Sequence, residues 1–106
     1  MARHTMLVLI NAKDGCEEEF NRWYEEVHLS DILAVPGFVS ARRFEAADAQ
    51  MTGPAKHRFM TLYEIESDDI GQSIRDLAAA SGGMDLSDTM EMNGALSVVY
   101  TLTSER

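Results

Sequence analysis

Tyr24 and His28 are the two side chains of this sequence whose types and spacing best suit chemistry. Four residues apart on a helix they are neighbours on one face. An imidazole beside a phenol can exchange a proton near neutral pH while the hydroxyl orients it or a bound oxygen atom. At about 100° per residue, with Phe20, Trp23 and Val27 forming the apolar stripe, His28 falls at the stripe's margin. The same position suits a structural histidine at a helix end, facing terminal carbonyls and Asp31. On the residues alone both readings are open. His4, near a terminus, and His57, opening a strand, are weaker candidates.

Other reactive types are sparse. Arg42, Arg43 and Arg58 fall on two segments expected to pair as neighbouring strands. They form either a local patch for an anionic small molecule or cross-strand pairs with Glu45, Glu64 or Glu66. Cys16 stands alone, which rules out an intrachain disulfide and a CxxC-type metal site, and Glu17, Glu18 and Glu19 oppose a thiolate there. Met84, Met90 and Met92 suit an adaptable lid over a hydrophobic ligand or a satellite core under a loop. The sequence contains no glycine-rich phosphate loop, HExxH, nucleophile elbow or spaced carboxylate cluster, so neither a metal nor a cofactor is expected. A haem would need an axial ligand from His28 or His57, and nothing in the residues separates that use from proton transfer.

Composition narrows the classes further. The 106 residues make one expected domain, 1–106, and 45% hydrophobic content is enough for a core. A net charge of −9 repels phosphate backbones, so nucleic acid is excluded as a partner. The apolar run near the start is about five residues, too short for a secretory signal or a membrane span. With a single cysteine, this reads as a cytoplasmic protein without membrane contact.

These residues need a frame. Residues 5–12 are continuously apolar and β-branched, as a strand buried on both faces requires. A turn at Lys13-Asp14-Gly15 leads into a helix over 16–33 with Asp14 as candidate cap and three glutamates in its first turn. Pro36-Gly37 ends it and opens a strand over 38–44. A long polar connection with Gly53-Pro54 leads to a strand over 57–66, in which Phe59, Thr61, Tyr63 and Ile65 share a face. Ser67-Asp68-Asp69 caps a second helix carrying Ile70, Ile74 and Leu77, which stops at Gly82-Gly83. Residues 84–93 read as irregular, and 95–103 as the last strand.

The order βαββαβ predicts an α+β, ferredoxin-like fold: a four-stranded antiparallel sheet with both helices on one face. The other face has nothing in the chain to cover it, although the first and last strands are apolar on both alternating sets. An exposed apolar face of that size predicts a homodimer.

Trp23-Tyr24, His28, Pro36-Gly37-Phe38 and Ala41-Arg42-Arg43-Phe44 together resemble the EthD-like and muconolactone-isomerase-like branch of the dimeric α+β barrels. The resemblance is concentrated in residues 20–44 and elsewhere is one of element order. It departs at His28-Leu29-Ser30, which lacks the proline often found after the histidine. It implies a cofactor-independent isomerase, cyclase, lyase or monooxygenase acting on a small apolar carbonyl or aromatic compound. His28 would then be the general acid or base, Tyr24 would orient it or the substrate oxygen, and Trp23, Tyr63, Arg42 and Arg43 would shape the pocket. The alternative is a noncatalytic small-ligand-binding or partner-stabilising dimer with a structural His28. A filled space between helix and sheet would favour that alternative.

Overall fold

A computed structural model describes residues 1–106, and their β-branched and apolar runs pair as one antiparallel sheet. Strand β1 spans Arg3–Ala12, β2 Phe38–Glu45, β3 Phe59–Glu66 and β4 Met90–Thr101. They lie in the order β2-β3-β1-β4. Helix α1 covers residues 17–33 and helix α2 covers Ile70–Ser81, which completes the βαββαβ order of a ferredoxin-like fold. No helix is long and apolar enough to cross a membrane.

Strand alternation decides what each face carries. The register places Met6 opposite Tyr63, Val8 opposite Thr61 and Ile10 opposite Phe59. This face meets the helices. Met6, Tyr63 and Ile65 pack with Ile32, Val35 and Phe38, and Ile70 and Leu77 of α2 join them. Towards the other end Ile10 and Phe59 pack with Phe20, Trp23 and Tyr24 of α1. Leu96, Val98 and Tyr100 of β4 stand opposite Leu9, Leu7 and Thr5 on the second face. They are 50%, 39% and 62% exposed, so the apolar, uncovered face expected from the sequence is present.

Several boundaries differ from the sequence reading. β1 begins at Arg3, and β3 begins at Phe59, leaving His57 outside it. The stretch read as irregular contributes its last residues to β4, because the β1–β4 register shifts between Leu9 and Asn11 and pairing resumes with Asn11 to Glu91 and Ala12 to Met90. Gly94, at φ 83°, lies within this irregularity. Asp14 does not cap α1: it precedes Gly15 in the turn, and Cys16 occupies the flanking position with no side-chain cap. Asp69 does cap α2, accepting from the Gln72 amide at 3.1 Å.

Gly37 joins α1 to the sheet. It sits at φ 90°, a Cβ added there would come within 3.0 Å of the Glu66 carbonyl oxygen, and its own carbonyl accepts from the Glu66 amide at 2.9 Å. Gly37→Ala should therefore cost about 1–3 kcal/mol in urea unfolding, through left-handed strain and displacement of this β2–β3 contact. An unchanged midpoint would show that the junction relaxes freely.

Candidate functional site

Helix α1 is not a uniform α-helix. It runs as α-helix over Glu17–Trp23, opens into a π turn over Tyr24–His28, and returns to α-helix over Leu29–Leu33. The Leu29 amide bonds the Tyr24 carbonyl, five residues back. Helix phase accounts for the insertion. In an unbroken α-helix Asp31 would lie only about 20° from Phe20, and Ile32 about 120° away. One extra residue moves Ile32 to the sheet side and Asp31 out of it, so Phe20, Tyr24 and Ile32 are all buried while Asp31 is not.

The π turn also sets the aromatic contacts of the histidine. His28 stacks on Trp23, five residues earlier, with centroids 4.4 Å apart and planes 21° from parallel. Its edge meets Tyr24 at 5.1 Å and 87°. Trp23 is fixed from behind, because its indole N–H donates to the Asp85 carbonyl at 2.7 Å. The segment that follows α2 is thereby tied to the same helix.

Between α1, α2 and the sheet lies a cavity of about 350 Å³. Met6, Val8 and Ile10 form its floor with Tyr63. Tyr24, His28 and Ile32 come from α1, Leu77 and Ser81 from α2, and Leu86, Met90, Met92, Ala95, Leu96 and Ser97 complete the wall. The size suits a small organic molecule. No group of three or more His, Cys, Asp and Glu is placed to hold a metal ion.

Two buried polar atoms at this cavity lack a well-formed hydrogen bond: His28 Nδ1, and the Tyr63 hydroxyl, whose one polar neighbour is the Tyr24 phenol. Burial lowers the His28 pKa from its ordinary 6.5, opposed in part by the negative charge of Asp31, so the ring is neutral at pH 7. Burial, with the Tyr24 phenol beside it, raises the Tyr63 pKa far above the ordinary tyrosine value. The phenol therefore stays protonated and can donate to a ligand oxygen.

The other residues singled out in the sequence take different places. Arg43 is not on the cavity wall: it lies behind Tyr24, its guanidinium 4.4 Å from the ring centroid, bonded to Asn21 at 2.9 Å and Glu25 at 3.3 Å. Arg42 points to the opposite face, as alternation along β2 requires, and pairs with Glu64 at 3.9 Å. Arg58 pairs with Glu45 at 3.4 Å, so two of the three arginines make the cross-strand pairs weighed against an anion patch. Trp23 also leaves the wall, since its ring is covered by His28 and its N–H is committed to Asp85. His4 is a satisfied core histidine: Nε2–H donates to the Ser67 carbonyl at 3.2 Å and Nδ1 shares a hydrogen bond with the Thr101 hydroxyl at 2.9 Å. His57 bonds the Gly94 carbonyl at 2.6 Å, bracing the β4 irregularity. Met90 and Met92 line the cavity, whereas Met84 packs against the core.

Trp23→Phe keeps an aromatic ring against His28 but removes the bond to Asp85. Amide hydrogen exchange in residues 84–89 should accelerate, with a stability loss of about 1–2 kcal/mol. Unchanged exchange there would show that the indole does not hold the segment.

No protein-family model matches the chain, and no curated protein matches it. Solved structures do. The heme-degrader MhuD from Mycobacterium tuberculosis, with two hemes bound in its active site, is 15% identical, with 97% of this chain and 98% of that one covered and a TM-score of 0.67. An ethyl tert-butyl ether d (EthD) family protein from Bacillus halodurans C-125 is 12% identical, covering 97% and 100%, with a TM-score of 0.63. A dimeric ferredoxin-like protein of unknown function from Jannaschia sp. CCS1 is 11% identical, covering 94% and 99%, with a TM-score of 0.62. At such identities the likeness is one of backbone. Together with the element order and the sheet order, it assigns the chain the ferredoxin-like fold of the dimeric α+β barrel proteins, a fold that an EthD family protein shares.

Proposed function

We propose that the chain is a small-molecule enzyme of EthD-like type in which His28 moves a proton to or from an apolar carbonyl or aromatic compound held in the cavity. The observation that carries this reading is the pair of buried polar atoms without a well-formed hydrogen bond, His28 Nδ1 and the Tyr63 hydroxyl, in a cavity lined mostly by apolar side chains. A buried polar atom without a partner costs about 1–3 kcal/mol, and a ligand oxygen would recover it. His28, neutral at pH 7, is the base. Tyr63, held protonated, donates to the oxygen on which negative charge gathers as the proton leaves. Tyr24, edge-on to the imidazole and braced by Arg43, orients it.

Proton transfer of this kind serves the cofactor-independent isomerase, cyclase and lyase classes, and the deprotonation step of a monooxygenase that uses no cofactor. Haem fits the residues poorly: its two propionates are anionic, and no Arg or Lys stands on the cavity wall. The uncovered sheet face supports a homodimer, the assembly of the similarly folded Jannaschia protein. The lone Cys16 fits a reducing, cytoplasmic setting.

Native mass spectrometry on protein purified from its source would identify a retained compound, and turnover can then be measured. His28→Gln should lower the rate by about 100- to 10,000-fold with fold and affinity kept. Wild-type turnover by this variant would leave the noncatalytic ligand-binding dimer as the reading.

The pH dependence has a definite sign. The folded-state pKa lies below 6.5, so the His28 contribution to stability is present above 6.5 and is lost as pH falls through the lowered folded value. The rate should follow the same limb, falling on that acid side and flat above it. His28→Gln should flatten both limbs. An acid limb that persists in the variant would assign the titration to another group.

Val98→Arg, placed in the exposed row of β4, should halve the sedimenting mass of the wild-type dimer. Equal masses for the two proteins would remove this face as the interface.

A further inference from the structure

The cavity wall has an unusual charge inventory for a protein of net charge −9: it includes no Arg, Lys, Asp or Glu. Twelve of its fifteen residues are hydrophobic, and the polar remainder is His28, Ser81 and Ser97. Each polar group can be asked whether it would meet a charge.

An anion finds no counter-ion. The part-buried cation of this region, Arg43, lies behind the Tyr24 ring and is committed to Asn21 and Glu25. The Ser81 hydroxyl donates to the Leu77 carbonyl at 2.8 Å, so it presents only lone pairs to the cavity. It also lies in the last turn of α2, where the helix dipole places partial negative charge. The imidazole of His28 is neutral at pH 7 and cannot balance a carboxylate. A cation fares no better, because no carboxylate reaches the wall. An ionised group drawn into such a site loses its hydration and gains no partner. What the wall does offer is neutral hydrogen-bonding groups: the His28 imidazole, the Tyr24 and Tyr63 phenols, and the Ser81 and Ser97 hydroxyls.

We infer that this cavity takes an uncharged ring compound bearing a hydroxyl or carbonyl, and rejects carboxylates, phosphate-bearing thioesters and ammonium compounds of the same shape. The inference rests on the reading of the cavity as the substrate site and adds the charge class to it.

Three probes of one shape test it: 2-naphthol, 2-naphthoate and 2-naphthylmethylammonium, titrated at pH 7 against protein labelled at the methionine methyls. The expected result is that 2-naphthol shifts the Met90 and Met92 signals and binds at least tenfold tighter than either ion. An ion that moves the same signals with equal or greater affinity would overturn the charge inference while leaving the cavity as a binding site. No shift with any of the three would overturn both. Ser97→Arg provides an independent arm, because this exposed wall residue can carry a cation without disturbing the core. It should narrow the gap between naphthol and naphthoate at least threefold, and an unaltered ratio would show that the missing counter-ion is not the cause of the discrimination.

Discussion

The phase of helix α1 is the constraint on which the site depends. Its two ends bury Phe20 and Ile32 against one sheet, and twelve residues of α-helix would place them about a third of a turn apart. The chain resolves the conflict by widening one turn, over Tyr24–His28. Had it not, the side chain facing the core near Ile32 would be the carboxylate of Asp31, and burying an unpaired charge costs far more than one distorted turn. The distortion falls on the residues to which the proposed chemistry is assigned. Trp23 and His28 come into register five residues apart, Tyr24 stays against the sheet, and the imidazole is held between an indole and the cavity.

From that placement the electrostatics follow. A histidine stacked on Trp23 and half-withdrawn from water favours its neutral form, and Asp31, turned outward by the same phase shift, opposes this only in part. Arg43, the part-buried cation of this region, is kept from the cavity by the Tyr24 ring and by its bonds to Asn21 and Glu25. The result is a cavity with two buried polar atoms lacking a well-formed hydrogen bond, His28 Nδ1 and the Tyr63 hydroxyl, and with an uncharged wall. Unpartnered groups weaken a fold; Arg43 Nε and Thr61 Oγ1 are buried without partners away from the cavity, whereas His28 Nδ1 and the Tyr63 hydroxyl belong to its lining, which is what the proposed function draws on.

Much of this frame was legible in the sequence, because it rests on periodicity and punctuation. The alternation of Phe59, Thr61, Tyr63 and Ile65, the cap at Asp69 and the stop at Pro36-Gly37 depend on local physics and appear where expected. The adjacency of Tyr24 and His28 was legible for the same reason. The arginines were less so: the resemblance implies both Arg42 and Arg43 at the pocket, but adjacent strand residues face opposite sides, so only Arg43 faces the helices, and it lies behind Tyr24 and off the wall. The early start of β4 was hidden because its pairing with Asn11 and Ala12 is non-local and passes through the irregularity at Gly94. The π turn left a signal that a uniform wheel overlooks: a carboxylate, Asp31, at a core angle with an isoleucine beside it at a solvent angle.

The two faces of the sheet ask for different partners, and β4 serves both. Leu96 lines the cavity, yet it also stands opposite Leu9 in the exposed row with Val98 and Tyr100. As an edge strand, β4 is held by one neighbour, and most of its residues are exposed. In the proposed homodimer a second copy would cover that row and supply the packing that β4 lacks within one chain. The cavity wall at Ala95, Leu96 and Ser97 would then be firm only in the assembled protein, so that dimerisation and the shape of the site become one free-energy problem. In that assembly the apolar face would bear on the proposed function without placing any of its residues at the reacting atoms: it would stiffen the strand against which a substrate is held.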